Sequence, residues 1–123
     1  MNQSFAALLL AARRERQLVI ATALTDGAPS GQARQARLAQ QQGAGAAELR
    51  ADLLADPAQV RAALTAVRAA FSLPLLLTYR STTEGGKGAG HGQGYEDYLA
   101  SLLQLRPAVA AVDIEMACPA SKA

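Results

Sequence analysis

The sequence predicts an α/β fold built on a parallel β-sheet, and two patterns carry this prediction. Four short apolar segments of strand type alternate with segments of helical spacing. Strands separated by helices of about three turns imply right-handed crossovers, which make neighbouring strands parallel. The strand segments are also almost continuously apolar, as expected for a sheet that is covered on both faces.

The first half of the chain predicts two helices and two strands. FAALLLAA followed by RRER places an amphipathic helix within residues 1–16. QLVIATAL, residues 17–24, is an uncharged apolar run typical of a buried strand. QARQARLAQQQGA, residues 32–44, consists of strong helix formers. AAELRADLL, residues 46–54, alternates apolar and charged residues and is predicted as the second strand.

The second half begins with a well-marked helix over residues 56–71. Asp56 is its predicted N-cap, and Pro57 suits the first helical position. The glycine-rich stretch STTEGGKGAGHGQG is predicted as a flexible loop. The other segments are predicted as a third strand (73–80), a helix (95–105), a fourth strand (107–116) and an irregular tail (117–123).

The predicted order is therefore β-α-β-α-β-α-β, preceded by an N-terminal helix. Such a unit is about half of a (β/α)8 TIM barrel, or alternatively a small open α/β sheet. Complete barrels need about 250 residues, and this chain has 123. We therefore expect residues 17–116 to form a half-barrel domain.

Composition excludes several function classes. The net charge is +2 with scattered Lys and Arg, which gives no nucleic-acid footprint, and no apolar run reaches the length of a membrane span. Cys118 is the single cysteine, so an internal disulfide is excluded and a cytoplasmic, reducing compartment is expected. One histidine and one cysteine do not make a zinc site, and we expect neither metal nor cofactor.

Charged residues cluster at the C-terminal ends of three predicted strands. Alternate residues of a strand share a face, which groups Glu48 with Arg50 and Asp52, Thr78 with Arg80, and Asp113 with Glu115. Ligands of α/β folds bind at this end of the sheet. Arginine presents forked donors that suit carboxylates and vicinal hydroxyls. The pattern therefore predicts a site for a small, oxygen-rich acid.

The loop after the third strand adds further candidates. Glu84 lies four residues beyond Arg80 and could pair with it or close over a ligand, with the glycines forming a lid. The loop matches neither a P-loop nor GxGxxG, which excludes these phosphate-binding motifs. Lys87 is expected to be exposed rather than a catalytic amine, and His91 is expected to be solvated.

Several of these segments resemble the N-terminal half of type I 3-dehydroquinate dehydratase. ELRADLL resembles the second strand of that family, PLLLTYRSTTEGG its third strand and loop, and VDIEM its fourth strand. The resemblance implies that Glu48, Arg50 and Arg80 contact the hydroxyls and carboxylate of the substrate. It also implies supporting charges at Glu84, Asp113 and Glu115. Thr22 is the counterpart expected for a substrate-contacting serine of the first strand, with Ser30 left open.

The resemblance implies a hydro-lyase of the shikimate pathway, the route to aromatic amino acids. Such an enzyme converts 3-dehydroquinate to 3-dehydroshikimate through a lysine Schiff base, with a histidine as general acid and base. Both groups are expected on strands beyond the fourth, so this chain would be a truncated product or one half of a split enzyme. We expect it to self-associate or to pair with a complementing half-barrel. The alternative is a degenerate, non-catalytic paralogue that only binds a small molecule.

Overall fold

A computed structural model describes residues 4–15, 18–104 and 109–115 of the chain. The helices are α1 (Phe5–Glu15), α2 (Pro29–Gln41), α3 (Pro57–Ala70) and α4 (Gln93–Leu103). The strands are β1 (Ala21–Leu24), β2 (Ala46–Arg50), β3 (Leu75–Thr78) and β4 (Ala111–Asp113). Short 3-10 turns follow β2 and β3, at Ala51–Leu53 and Thr82–Glu84. The predicted tail, 117–123, lies outside the described residues.

The four strands form one parallel sheet in the sequential order β1-β2-β3-β4. A sheet of the doubly wound type would reverse its strand order at a switch point. Here the chain advances in one direction at every crossover, as in a (β/α)8 barrel. The predicted α/β class and parallel sheet are confirmed, and the strand order favours the half-barrel over the open sheet.

One face of the sheet packs against the helices and forms the hydrophobic core. Leu49 and Leu77 are register partners on this face, and both are fully buried. Helix α2 presents the small residues Ala33 and Ala36 to the core, which lets the helix approach the sheet closely. Burial of each large aliphatic side chain contributes about 1.5–3 kcal/mol.

The opposite face of the sheet is partly open, as expected for a half-barrel, although the nearly continuous apolar strands are typical of a sheet that is covered on both faces. Ala21 and Ala23 of β1 point to this side and are exposed. Glu48 is the register partner of Ala23, and Leu76 is the register partner of Glu48, so these side chains share the open face. The charged residues of the predicted site are therefore carried on the side of the sheet away from the helices.

The starts of helices α3 and α2 follow from capping residues and prolines in the local sequence. Asp56 accepts a hydrogen bond from the backbone N–H of Gln59 at 2.9 Å, which confirms it as the N-cap of α3. Helix α2 begins at Pro29, three residues earlier than predicted, because proline fits the first helical turn.

Helix α1 lies outside the core. It has no buried residues, and Leu9 is 55% exposed. Across residues 4–15, 18–104 and 109–115, every helix is too short or too polar to cross a membrane.

Candidate active site

The predicted charged residues converge at the C-terminal edge of the sheet. Arg50 pairs in register with Thr78, and Thr78 pairs with Asp113, so the strand ends lie level with one another. The Thr78 hydroxyl donates to Glu48 Oε2 at 2.8 Å. Glu48 also lies near enough to both Arg50 and Arg80 to favour their charged forms. The structure therefore brings Glu48, Arg50 and Arg80 together.

Asp52 holds Arg50 in a two-point ion pair. Arg50 Nε donates to Asp52 Oδ1 at 2.8 Å, and Nη2 donates to Oδ2 at 2.7 Å. The predicted second strand, 46–54, ends at Arg50, so the prediction that Asp52 continues it is wrong. The 3-10 turn at Ala51–Leu53 instead folds the Asp52 carboxylate back onto the guanidinium, where its side chain is fully buried.

The same carboxylate also binds the backbone beyond β3. Asp52 Oδ1 accepts from the N–H of Arg80 at 3.2 Å, and Oδ2 accepts from the N–H of Lys87 at 3.0 Å. Burial alone would raise the pKa of Asp52, but the hydrogen bonds from Arg50, Lys87 and Arg80 outweigh it and lower that pKa. Asp52 is therefore an ionised anchor shared by the segments that carry both arginines.

Arg80 forms ion pairs with the three supporting carboxylates. Its Nη1 lies 3.1 Å from Glu115 Oε2 and 3.7 Å from Glu84 Oε2, and its Nη2 lies 3.0 Å from Asp113 Oδ2. Burial opposes its charge, yet Asp113, Glu115 and Glu48 raise the pKa of Arg80. The structure thus places Glu84, Asp113 and Glu115 around one guanidinium.

Glu115 is fully buried and hydrogen-bonded at both carboxylate oxygens. Ser81 donates its hydroxyl to Oε1 at 2.5 Å and its backbone N–H to Oε2 at 3.0 Å. His91 Nε2 lies 2.7 Å from Oε1. Burial would raise the pKa of Glu115, but the bonds from Ser81, His91 and Arg80 keep it below its ordinary value.

His91 is not solvated as predicted, since its side chain is 17% exposed and contacts Glu115. The glycine-rich loop also differs from the predicted flexible lid. Three of its backbone N–H groups donate hydrogen bonds to side chains. Lys87 donates to the Asp52 carboxylate, Ala89 to the Tyr79 hydroxyl and His91 to the Thr83 hydroxyl. Sequence reasoning missed this because a glycine-rich composition carries no signal for such long-range bonds.

The glycines of this loop have steric roles. Gly85 ends the 3-10 turn with a φ of +86°, a conformation that side chains disfavour. A Cβ at Gly86 would lie 2.3 Å from the Arg80 carbonyl oxygen and 2.5 Å from Arg80 Cβ. The EGG segment therefore folds directly against Arg80 because its last residue lacks a side chain.

Two predicted residues lie away from this cluster. Thr22 pairs in register with Ala47, so it points to the helix-covered side, where it lines a cavity of about 310 Å³ with Gln35 of α2. Ser30 is exposed in the first turn of α2. Thr22 therefore does not join Glu48 and Arg50, contrary to expectation, because the register of β1 sets its direction. Lys87 is exposed, as predicted.

A family model described as type I 3-dehydroquinase matches residues 20–123. The chain belongs to this family. Two curated relatives are both named 3-dehydroquinate dehydratase. The protein of Methanosarcina barkeri is 38% identical over 82 residues, which are 65% of this chain and 34% of that protein. The protein of Methanosarcina acetivorans is 36% identical over 80 residues, which are 63% of this chain and 33% of that protein.

Two solved structures of 3-dehydroquinate dehydratases share the fold described above. A type I 3-dehydroquinate dehydratase from Clostridium difficile, crystallised with covalently modified comenic acid, superposes with a TM-score of 0.70 at 20% identity. The 3-dehydroquinate dehydratase from Geobacillus kaustophilus gives 0.67 at 25% identity. Each match covers 80% of this chain and 40% of the other. This chain thus spans about a third of the length of the curated dehydratases it matches.

Proposed function

We propose that this protein serves the dehydration of 3-dehydroquinate to 3-dehydroshikimate, a hydro-lyase step of the shikimate pathway, by supplying the substrate-orienting half of the site. The observation that carries the proposal is that the buried carboxylate of Asp52 binds both the guanidinium of Arg50 and the backbone N–H of Arg80 at one edge of the sheet. Two guanidinium groups held in place suit an anionic substrate rich in hydroxyls.

The two arginines have different tasks in this proposal. Arg50 uses Nε and Nη2 for Asp52, and no described residue accepts a hydrogen bond from its Nη1. That nitrogen retains two donors for the substrate carboxylate or a hydroxyl. Arg80 is already bound to Glu115 and Asp113, so it acts mainly by making this edge of the sheet rigid. Glu48, held by Thr78, accepts a hydrogen bond from a substrate hydroxyl.

The covalent chemistry belongs to other residues. The Schiff-base lysine and the acid–base histidine that the family resemblance implies would come from strands that follow β4, and neither Lys87 nor His91 matches them. Orientation by Arg50 and Glu48 contributes by holding the substrate in a reactive geometry, since precise positioning lowers the entropic part of the barrier.

A binding titration tests the orienting role. We expect 3-dehydroquinate to shift NMR resonances of the C-terminal edge of the sheet, and Arg50→Met to weaken binding by at least about tenfold through loss of a charge-assisted bond. Arg61→Met, an exposed arginine on α3, is the matched control. Equal affinities of the wild-type and Arg50→Met proteins would refute the proposal.

Reduction with borohydride tests whether the lysine that forms the Schiff base lies outside this chain. After incubation with 3-dehydroquinate and borohydride, the mass of the chain should remain unchanged, because imine formation needs the lysine that the proposal assigns elsewhere. A stable adduct on this chain would overturn that assignment and place the reactive amine within these 123 residues.

We also propose that the chain is cytoplasmic and pairs with a second copy or with a complementing half-barrel. The exposed edge of the first strand carries no charge, and Leu18 and Ile20 beside it are 94% and 62% exposed. Uncharged, unpaired strand edges favour strand addition. Size-exclusion chromatography with light scattering should give more than the 12.7 kDa of the monomer. A stable monomer with a sharp thermal transition would contradict this pairing.

A further inference from the structure

Three side chains with metal-binding atoms meet beside Arg80. Glu84, from the 3-10 turn, His91, from the loop, and Glu115, just after β4, each place one ligand atom within 4.8 Å of the other two. The shortest separation is 2.7 Å, between His91 Nε2 and Glu115 Oε1. Glu84 and His91 lie close together in the chain after β3, and Glu115 lies 24 positions beyond His91, so the fold brings the second carboxylate to the other two side chains.

The two inner members of this trio are already oriented. Glu115 is fixed by Arg80 and by the N–H of Ser81 at Oε2, and by the Ser81 hydroxyl at Oε1. The His91 ring lies 5.4 Å from the Tyr95 ring, and its backbone N–H is bound by Thr83. Outer hydrogen bonds of this kind orient metal ligands and raise affinity.

The local charge also favours a cation. Three carboxylates, those of Glu84, Asp113 and Glu115, surround the single guanidinium of Arg80, which leaves two negative charges when His91 is neutral. Arg80 binds Oε2 of Glu115, whereas His91 contacts the other oxygen, Oε1. Glu84 is 3.7 Å from Arg80 and 40% exposed, which leaves its side chain free to turn.

We propose that Glu84, His91 and Glu115 bind a divalent first-row transition metal such as Zn²⁺ or Co²⁺, a site that the counts of histidine and cysteine did not predict because two carboxylates supply the other ligands. One imidazole nitrogen with two carboxylate oxygens suits these ions better than Mg²⁺ or Ca²⁺, which take oxygen ligands. Coordination through Nε2 requires the Nδ1–H tautomer of the imidazole, so the Nε2 to Oε1 hydrogen bond is given up and both atoms present lone pairs to the metal. Three protein ligands leave the remaining positions to water. This site adjoins the proposed substrate site, because Glu84 and Glu115 both contact Arg80.

The chain offers a direct measurement because His91 is its only histidine. Protein without an affinity tag, freed of metal with EDTA and carrying Cys118→Ser to remove the one thiol, is titrated with Zn²⁺. We expect saturation at one equivalent by calorimetry, together with a shift of the single set of imidazole NMR resonances. An imidazole signal that stays unchanged at one equivalent of Zn²⁺ would overturn the proposal.

Two variants locate the ligands. His91→Gln and Glu84→Gln should each weaken Zn²⁺ binding by at least about tenfold, since even outer-shell changes cost that much. Glu84 is exposed, so Glu84→Gln should fold normally and keeps the test decisive if His91→Gln does not. Glu15→Gln, an exposed carboxylate on α1, is the control and should leave the affinity unchanged. Unchanged Zn²⁺ affinity in Glu84→Gln would exclude this carboxylate and overturn the proposed ligand set.

Discussion

Asp52 and Arg50 lie two residues apart yet form a two-point ion pair of 2.7 and 2.8 Å, made by the 3-10 turn that follows β2. The same carboxylate accepts the backbone N–H groups of Arg80 and Lys87. Removal of this anchor should therefore affect both arginines at once, although neither is itself changed.

The first prediction concerns Asp52→Asn, which removes the negative charge and turns an amide toward the Arg50 donors. Breaking a buried ion pair from one side costs about 3–5 kcal/mol, and we expect a loss of this order in the free energy of unfolding by urea. Asp97→Asn, an exposed carboxylate on α4, should stay within about 0.5 kcal/mol of the wild type. A similarly small change for Asp52→Asn would contradict the anchoring role.

The second prediction concerns Arg80→Met, which leaves Asp113, Glu84 and the buried Glu115 without their cation. We expect about 3 kcal/mol of destabilisation at pH 7 and less at pH 4.5, where the unpaired carboxylates take up protons. The measurement is urea unfolding at both pH values, with Arg61→Met as the control. A loss that does not depend on pH would show that the side chain acts through packing alone.

Acid unfolding provides the third prediction. Asp52 and Glu115 both have lowered pKa values in the folded protein, so the unfolded chain takes up protons first as the pH falls. The stability they contribute is present above the ordinary carboxyl pKa values of about 4 and is lost as the pH falls through the folded values. Melting temperatures between pH 7 and pH 3 should drop steeply below about pH 4, and Glu115→Gln should flatten that drop. An equally steep drop of the melting temperature in Glu115→Gln would show that Glu115 does not contribute to the pH dependence of stability.

The fourth prediction compares two glycines. Gly86→Ala places a Cβ 2.3 Å from the Arg80 carbonyl oxygen, so the loop must shift, at a cost of about 1–3 kcal/mol. Gly94→Ala lies in α4, where the nearest atom is 3.8 Å away, and should stabilise by about 0.5–1 kcal/mol because alanine favours helix. Urea unfolding of both variants tests the contrast, and a neutral Gly86→Ala would show that the loop is not packed against Arg80.

Local patterns were sufficient for the element order and for the edge of the sheet that carries charge. The Asp56–Pro57 pair specified the start of α3, because a cap and the residue it caps are neighbours in the chain. The strands end at Arg50, Thr78 and Asp113, close to the predicted ends. The prediction therefore grouped the charged residues at the correct edge of the sheet. These features depend on contacts within a few residues, which composition and periodicity encode.

The site itself depended on distant contacts. His91 meets Glu115 across 24 positions, and Asp52 meets the backbone of Lys87 across 35. Thr22 faces the helices only because of the register between β1 and β2. The sequence by itself determined which residues stand at the C-terminal edge of each strand. Only the tertiary structure decided which of them touch, because a one-residue change of register or an unpredicted turn redirects a side chain to the opposite face.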